Sequence, residues 1–293
     1  MRNRPLEEPR LMAVLAHPDD ESLGLGGTLA KYGREGVGTY VVTATRGERG
    51  RFGEEKVSPG LEVVGRVRED ELRAAARELG VREVTFLDYV DKDLDRANPA
   101  EVVGKIVTRL REVRPQVVVT FDPNGAYGHP DHVAICQFTT AAVVCAADPT
   151  YTAPGSAQAE KAHRVAKLYY MVWSEQRAAF YQSVFRELKT TVDGAERRAA
   201  AWPEWAVTTV VDTKAYWKQA WRAVSCHRTQ MAIFKGIGRL PLETQLALWG
   251  SQQYYRVFSS VNGGRLRETD LFEGIEGLAF SATAGAADRK EAR

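Results

Sequence analysis

Short β-branched runs alternate with helical patterns through the first half of the chain, and this rhythm restricts the fold more than any other feature. Leu11 to Ala16 reads as a strand, Thr28 to Glu35 as a helix, Thr39 to Thr45 as a strand and Glu62 to Leu79 as a charged amphipathic helix stopped by Gly80. Val84 to Leu87, Ala100 to Val113 and Val117 to Phe121 continue it as strand, helix and strand. Strands separated by helices imply right-handed crossovers and a parallel sheet, and runs as apolar as Val117-Val118-Val119 imply helices on both faces. The expected class is therefore α/β: a doubly wound, mostly parallel sheet. In the common order 3-2-1-4-5 the first and fourth strands are neighbours, and ligands bind beyond their carboxyl ends.

The second half is less regular. An Ala/Pro/Gly/Ser loop spans Asp148 to Gln158, followed by a strand at Lys167 to Trp173, a helix from Glu175 to Leu188 and a strand at Val207 to Val211. Lys214 to Ser225 reads as a helix with Trp217 and Trp221 on one face, and Tyr254 to Ser259 as a last strand. These complete a single domain over residues 1–280, with residues 281–293 expected as a frayed tail.

Composition excludes several classes. Forty Lys+Arg against 38 Asp+Glu, interleaved along the chain, leave a net charge of +2 and no basic stripe for nucleic acid. The N-terminal segment carries Arg2, Arg4, Glu7, Glu8 and Arg10 before a six-residue apolar run, so it reads as neither signal peptide nor membrane span. Cys136, Cys145 and Cys226 lie in apolar or helical contexts without a Cys-x-x-Cys, and are expected to be reduced, buried and inert in a cytoplasmic protein.

Chemistry is concentrated at two strand ends, His17-Pro18-Asp19-Asp20-Glu21 and His129-Pro130-Asp131-His132. His17 and Asp20 stand three apart on a turn stiffened by Pro18, and His132 completes two imidazoles and a carboxylate, leaving a tetrahedral metal one open position. Zinc (Zn2+) lowers the pKa of bound water from about 15.7 to about 7, and the set also suits ferrous iron (Fe2+). Asp19 is the best-placed general base and later acid. His129, one helical turn before His132, suits oxyanion stabilisation as an imidazolium, while Asp131 could hold His129 in that form or orient His132. Asn124 and Tyr127 are candidate donors to a substrate carbonyl. Arg46 opens a glycine-rich loop, Arg46 to Gly53, which is a candidate lid, and is the residue expected to reach a polar ligand.

Other polar features read as structure. His163 and His227, taken singly, are expected as ordinary core or surface histidines. Gly24-x-Gly26-Gly27 lacks dinucleotide-loop spacing and is expected to let the first helix pack closely on the sheet.

Ala16-His17-Pro18-Asp19-Asp20-Glu21, Gly26-Gly27-Thr28-Leu29, Thr45-Arg46-Gly47-Glu48 and Gly128-His129-Pro130-Asp131-His132 together resemble the LmbE/PIG-L family of zinc-dependent N-acetylglucosaminyl deacetylases, in order and spacing, over about residues 10–140. His227-Arg228-Thr229-Gln230 resembles the family's His-x-Ser-Gln element with threonine for serine. The resemblance implies a Rossmann-like fold and hydrolysis of an N-acetyl group on a small-molecule amino sugar, with zinc on His17, Asp20 and His132. It implies Asp19 as base, His129 as oxyanion stabiliser with Asp131 as its partner, Tyr127 as the counterpart of a tyrosine of the thiol-cofactor deacetylases, and Arg46 and Asp91 as substrate hydroxyl contacts. Rival readings are an amidase for a larger sugar-thiol conjugate and a binding protein with a structural metal; a homo-oligomer is compatible with either.

Overall fold

A computed structural model describes residues 7–154, 161–185, 189–192, 194–232, 236–264 and 266–280. The strand β1 (Arg10–Leu15) leads into helix α1 (Asp20–Arg34), β2 (Gly38–Thr45), α2 (Leu61–Leu79), β3 (Glu83–Tyr89), α3 (Pro99–Val113) and β4 (Val117–Thr120). A distorted turn α4 (Gly125–Gly128) precedes the long helix α5 (Pro130–Ala147), then β5 (Lys167–Met171), α6 (Glu175–Phe185) and a hairpin, β6 (Lys189–Val192) with β7 (Ala195–Arg198). The chain ends with β8 (Thr209–Asp212), α7 (Trp217–Cys226), α8 (Leu242–Trp249) and β9 (Ser251–Ser259).

The seven-stranded sheet has the order β3-β2-β1-β4-β5-β9-β8. Its first five strands are parallel in the expected 3-2-1-4-5 arrangement, and β9 and β8 add an antiparallel edge. Helices α1, α2 and α7 pack together on one face and α3 with α5 on the other. Leu11 through Leu15 and Val117 through Val119 are fully buried, because crossovers cover both faces. Each of the leucine, methionine and valine side chains among them contributes about 1.5–3 kcal/mol relative to exposure. The register pairs Leu15 with Thr43 and Leu11 with Val117, so the β1, β2 and β4 ends open on one rim.

Local chemistry explains the boundaries. Asn98 caps α3 by accepting from Ala100 N–H at 3.0 Å, with Pro99 at the first position, and Gly80 ends α2 at φ 70°. The first helix begins at Asp20, eight residues before the position the sequence suggests, because packing overrides the poor helix propensity of its glycines. Those glycines do not face the sheet alone: a Cβ on Gly24 would meet Met171 of β5, but one on Gly26 would lie 3.2 Å from Ala220 of α7 and one on Gly27 2.6 Å from Thr213. Among the three free cysteines only Cys136 is buried, and Cys145 and Cys226 are half-buried, contrary to expectation. The expected tail 281–293, part of the 148–158 loop and the end of the helix expected to reach Leu188 lie outside the described residues.

Candidate active site

The two histidine segments meet at the β1/β4 rim. Thr45 donates from N–H (3.0 Å) and Oγ1 (2.9 Å) to the Ala16 carbonyl, tying the ends of β1 and β2 just before His17. Asp19 then takes φ 107°, a left-handed conformation that costs a non-glycine residue about 1–3 kcal/mol and is held only by its surroundings. Asp20 opens α1, and its Oδ2 accepts from the N–H groups of Ala16 (3.1 Å) and His17 (2.8 Å), which fixes the carboxylate. On the other side, His129 caps α5, its Nδ1 accepting from Asp131 N–H at 3.2 Å, with Pro130 following; His132 enters one turn later, its ring stacked on Phe121 with centroids 3.9 Å apart.

Three side chains converge, Asp20 through both of its oxygens. His17 Nδ1 lies 3.1 Å from His132 Nε2, Asp20 Oδ1 3.4 Å from that same nitrogen, and Asp20 Oδ2 3.8 Å from His17 Nδ1. Bonds of 2.0–2.1 Å to a tetrahedral ion would put ligand atoms roughly 3.3 Å apart, so the set fits a metal. His17 Nε2 faces Asp131 Oδ2 at 3.0 Å and Asp91 Oδ1 at 3.2 Å. Those carboxylates hold the proton on Nε2 and leave Nδ1, the nitrogen turned to His132, as the one from which an ion would displace a proton. Wider groupings with donors within 4.8 Å are His17, His129 and His132, and His17, Asp91 and Asp131. The second is accounted for by the hydrogen bonds to His17 Nε2.

The site is rich in acid. Asp20, Glu21, Asp91 and Asp131 are buried and Asp19 nearly so, against one buried arginine, Arg68. Burial, reinforced by Asp19 and opposed by His17, pushes the Asp20 carboxyl up to about 7. Burial also disfavours charge on His17, but Asp131, Asp91 and Asp20 outweigh it and lift the imidazole to about 10. Burial and then the neighbouring His17 push His129 down to about 4, which makes it neutral. Such a concentration of buried carboxylates calls for a cation.

Several expected contacts are different. The Asp131 carboxylate reaches neither His129 nor His132 but His17, and it also accepts from Lys92 N–H at 2.7 Å; the α5 backbone turns it toward the β1 end. Asp91 lines the cavity, and its oxygens also meet His17 and the Arg49 N–H (3.1 Å). Arg46 faces away, pairing with Glu69 and Asp88 at 2.6 Å each over the Phe86 ring, and does not line the cavity. Asn124 is exposed and donates to Asp122 at 3.2 Å. Tyr127 does line the cavity, its ring edge-on to His132. His163 Nε2 donates to the Pro115 carbonyl at 2.7 Å, away from this site, whereas His227 pairs with Glu21 directly beneath it.

Residues outside the motifs complete the site. Arg68 of α2 binds the Gly47 and Pro18 carbonyls and sits 3.3 Å from Asp19 Oδ2. Its signal was in the sequence: it falls between Val64 and Leu72 on the buried stripe of an amphipathic helix, where an arginine needs a partner. Gly47 is required there, since a Cβ would lie 1.9 Å from Arg68 Nη1. The cavity, about 440 Å³, is lined by the cations Arg49, Arg51 and Lys92 and by the aromatic rings of Trp173, Tyr181 and Trp249, among others. The aromatic wall comes from the second half and is assembled only by folding.

A profile of the family described as "PIG-L: GlcNAc-PI de-N-acetylase" matches residues 12–143. The chain is 35% identical to a 1D-myo-inositol 2-acetamido-2-deoxy-alpha-D-glucopyranoside deacetylase of Kineococcus radiotolerans, over 92% of this chain and 84% of that protein. It is 33% identical to a mycothiol S-conjugate amidase of Streptomyces coelicolor, over 92% and 98% respectively. The fold superposes on an N,N'-diacetylchitobiose deacetylase from Pyrococcus horikoshii with a TM-score of 0.63 at 18% identity, covering 86% of this chain and 84% of that one. By the extent of these matches, the chain belongs to the LmbE/PIG-L family of deacetylases and amidases.

Proposed function

We propose that this protein is a metal-dependent hydrolase that removes acetate from an N-acetylglucosamine conjugate, with an inositol glucosaminide of the kind its relatives are named for as the leading candidate. The observation that carries the reading is the convergence of His17 Nδ1, the Asp20 carboxylate and His132 Nε2, with the Asp19 carboxylate beside them in the same cavity. Zn2+ or Fe2+ held by those three residues would polarise the acyl carbonyl and make water acidic enough to attack at neutral pH. Asp19, its basicity raised by burial against the opposing pull of Arg68, takes the proton of the attacking water and returns it to the departing amine nitrogen. His129 works as a neutral donor: Nδ1 is occupied by Asp131 N–H, so the proton sits on Nε2, from which it supports the carbonyl oxygen as negative charge builds. Tyr127 is a second donor, and Asp131 and Asp91 fix the His17 tautomer. Water and amide yield acetate and a free amine.

The test is a panel of N-acetylated glucosamine compounds scored for acetate with and without chelator. Release that chelator abolishes and added Zn2+ or Fe2+ restores is expected; metal-free protein that no metal activates on any compound would overturn the reading. A second reading, cleavage of a larger amide conjugate, is supported by the Trp173–Tyr181–Trp249 wall and by the amidase relative. Direct competition between an acetylated sugar and an S-alkylated conjugate separates the two. A cytoplasmic location accompanies both readings; no helix among the described residues is long and apolar enough to cross a membrane.

A further inference from the structure

Glu21 and His227 form a buried pair that the chemistry above does not use. Glu21 is 0% and His227 1% exposed, and Glu21 Oε1 lies 2.7 Å from His227 Nε2 across 206 residues of sequence. The second Glu21 oxygen, Oε2, accepts the Asp19 N–H at 3.0 Å, and Ser22 Oγ donates to Oε1. The turn that delivers His227 is itself anchored. Thr229 donates from N–H (2.9 Å) and Oγ1 (2.7 Å) to Glu71 of α2, and its carbonyl accepts Gly53 N–H at 2.8 Å. Gln230 Nε2 holds the Arg51 carbonyl at 2.8 Å.

An isolated buried ion pair is a poor source of stability, since desolvating both charges offsets their attraction. A carboxylate reaching back to the amide at the start of its own helix also resembles a simple cap, which would serve stability alone. What distinguishes this pair is the residue whose amide it holds. Asp19 is in the left-handed region at φ 107°, a conformation an aspartate leaves unless it is restrained. Arg68 restrains Asp19 from the side-chain end and Glu21 from the backbone end.

We propose that Glu21, locked by His227, is a positioning residue: by holding the Asp19 amide it keeps Asp19 in the left-handed conformation that presents its carboxylate to the cavity. His227, Thr229 and Gln230 then have one joint task, which is to couple the end of α7 to the Asp19 turn and to the loop beside it. The inference rests on the reading of Asp19 as the proton-transferring group, but the backbone claim can be tested separately.

The experiment uses the metal-loaded full chain. Glu21→Met keeps the length of the side chain but removes both accepting oxygens, so it should retain metal stoichiometry and KM within about twofold while kcat falls roughly 10- to 100-fold, the scale of a misplaced reacting group, whereas Glu21→Gln, whose amide oxygen can still accept the Asp19 N–H, should lose less. In an Asp19→Asn background Glu21→Met should cost nothing further, because both act through one carboxylate. His227→Ala should lose rate similarly, and His227→Gln, which restores a donor to Glu21, should recover kcat to within about threefold. A merely structural role predicts lowered thermal stability with unchanged kcat in the folded fraction, or losses that multiply in the double variant, and either overturns the proposal. Crystal structures of Glu21→Met and His227→Ala add a readout independent of turnover: Asp19 is expected to leave positive φ, and a residue 19 unmoved in both would also overturn it. If Asp19→Asn alone keeps full activity, the assignment of Asp19 as base fails, and the φ at residue 19 still decides whether Glu21 positions it.

Discussion

Two buried charged clusters lie on the same sheet, and they are built on opposite principles. At the antiparallel edge, Glu268 is 1% exposed and its oxygens accept from Lys167 Nζ (2.7 Å), Arg256 Nη1 (2.7 Å), Asn262 Nδ2 (2.8 Å), Thr209 Oγ1 (2.7 Å) and Tyr169 OH (2.7 Å). Every lone pair has a donor and the acid has its cations. At the β1/β4 rim the acids outnumber the fixed cations, two imidazole nitrogens face each other, Asp131 Oδ1 is buried without a hydrogen-bond partner and Asp19 has a strained backbone. A polar cluster that serves stability is saturated; one that serves chemistry is left incomplete for an ion and a substrate.

The contrast can be broken in order of expected effect. Asp19→Asn should reduce acetate release about 10²- to 10⁴-fold, the range of general acid–base catalysis, with metal content by elemental analysis and unfolding midpoint little changed. If instead it unfolds the protein and spares turnover, the rim cluster is structural and the contrast fails. Glu268→Gln should do the reverse. It strands fully buried Lys167 beside Arg256 and should cost on the order of 3–5 kcal/mol in urea denaturation while the folded fraction keeps its rate.

Acid sharpens the comparison at the edge. Burial raises the Glu268 carboxyl, but hydrogen bonds from Lys167, Asn262, Thr209 and Tyr169 outweigh it and hold it at about 2, below its ordinary 4.5. Because the folded state depresses this pKa, the contribution is fully present above about pH 4.5 and is lost as pH falls toward 2. It amounts to about 3 kcal/mol, and Glu268→Gln should remove that part of the acid sensitivity in pH-dependent unfolding. The smallest effect is expected of Arg46→Ala. Its partners Glu69 and Asp88 are partly exposed, so stability should change by under about 1 kcal/mol and kcat/KM by less than about twofold. A tenfold loss of kcat/KM would return Arg46 to the substrate.

What the sequence disclosed follows the physics of each element. Strands buried on both faces, and helices with a clear apolar stripe, were legible as patterns, including α2 with its Gly80 stop and α3 within one residue of its start. The helix α5 is apolar nearly all round, so no periodicity separates it from a buried strand, and α8 and the β6–β7 hairpin are short. The metal-competent set His17, Asp20 and His132 could be picked out because its residues stand next to strand ends whose order a doubly wound sheet dictates. Which carboxylate met which imidazole could not, since that depends on where the backbone turns after Tyr89 and at His129.

By itself, the amino-acid sequence determined the order of the five parallel strands, the meeting of the two histidine segments and the reaction class, because period, chirality and donor chemistry are local properties. Only the tertiary structure decided that Asp131 and Asp91 serve His17, that Arg46 turns outward while Arg68 turns in, and that His227 reaches Glu21 from 206 residues away. Those outcomes depend on side-chain direction and on packing between distant elements, and neither is encoded within a single stretch of chain.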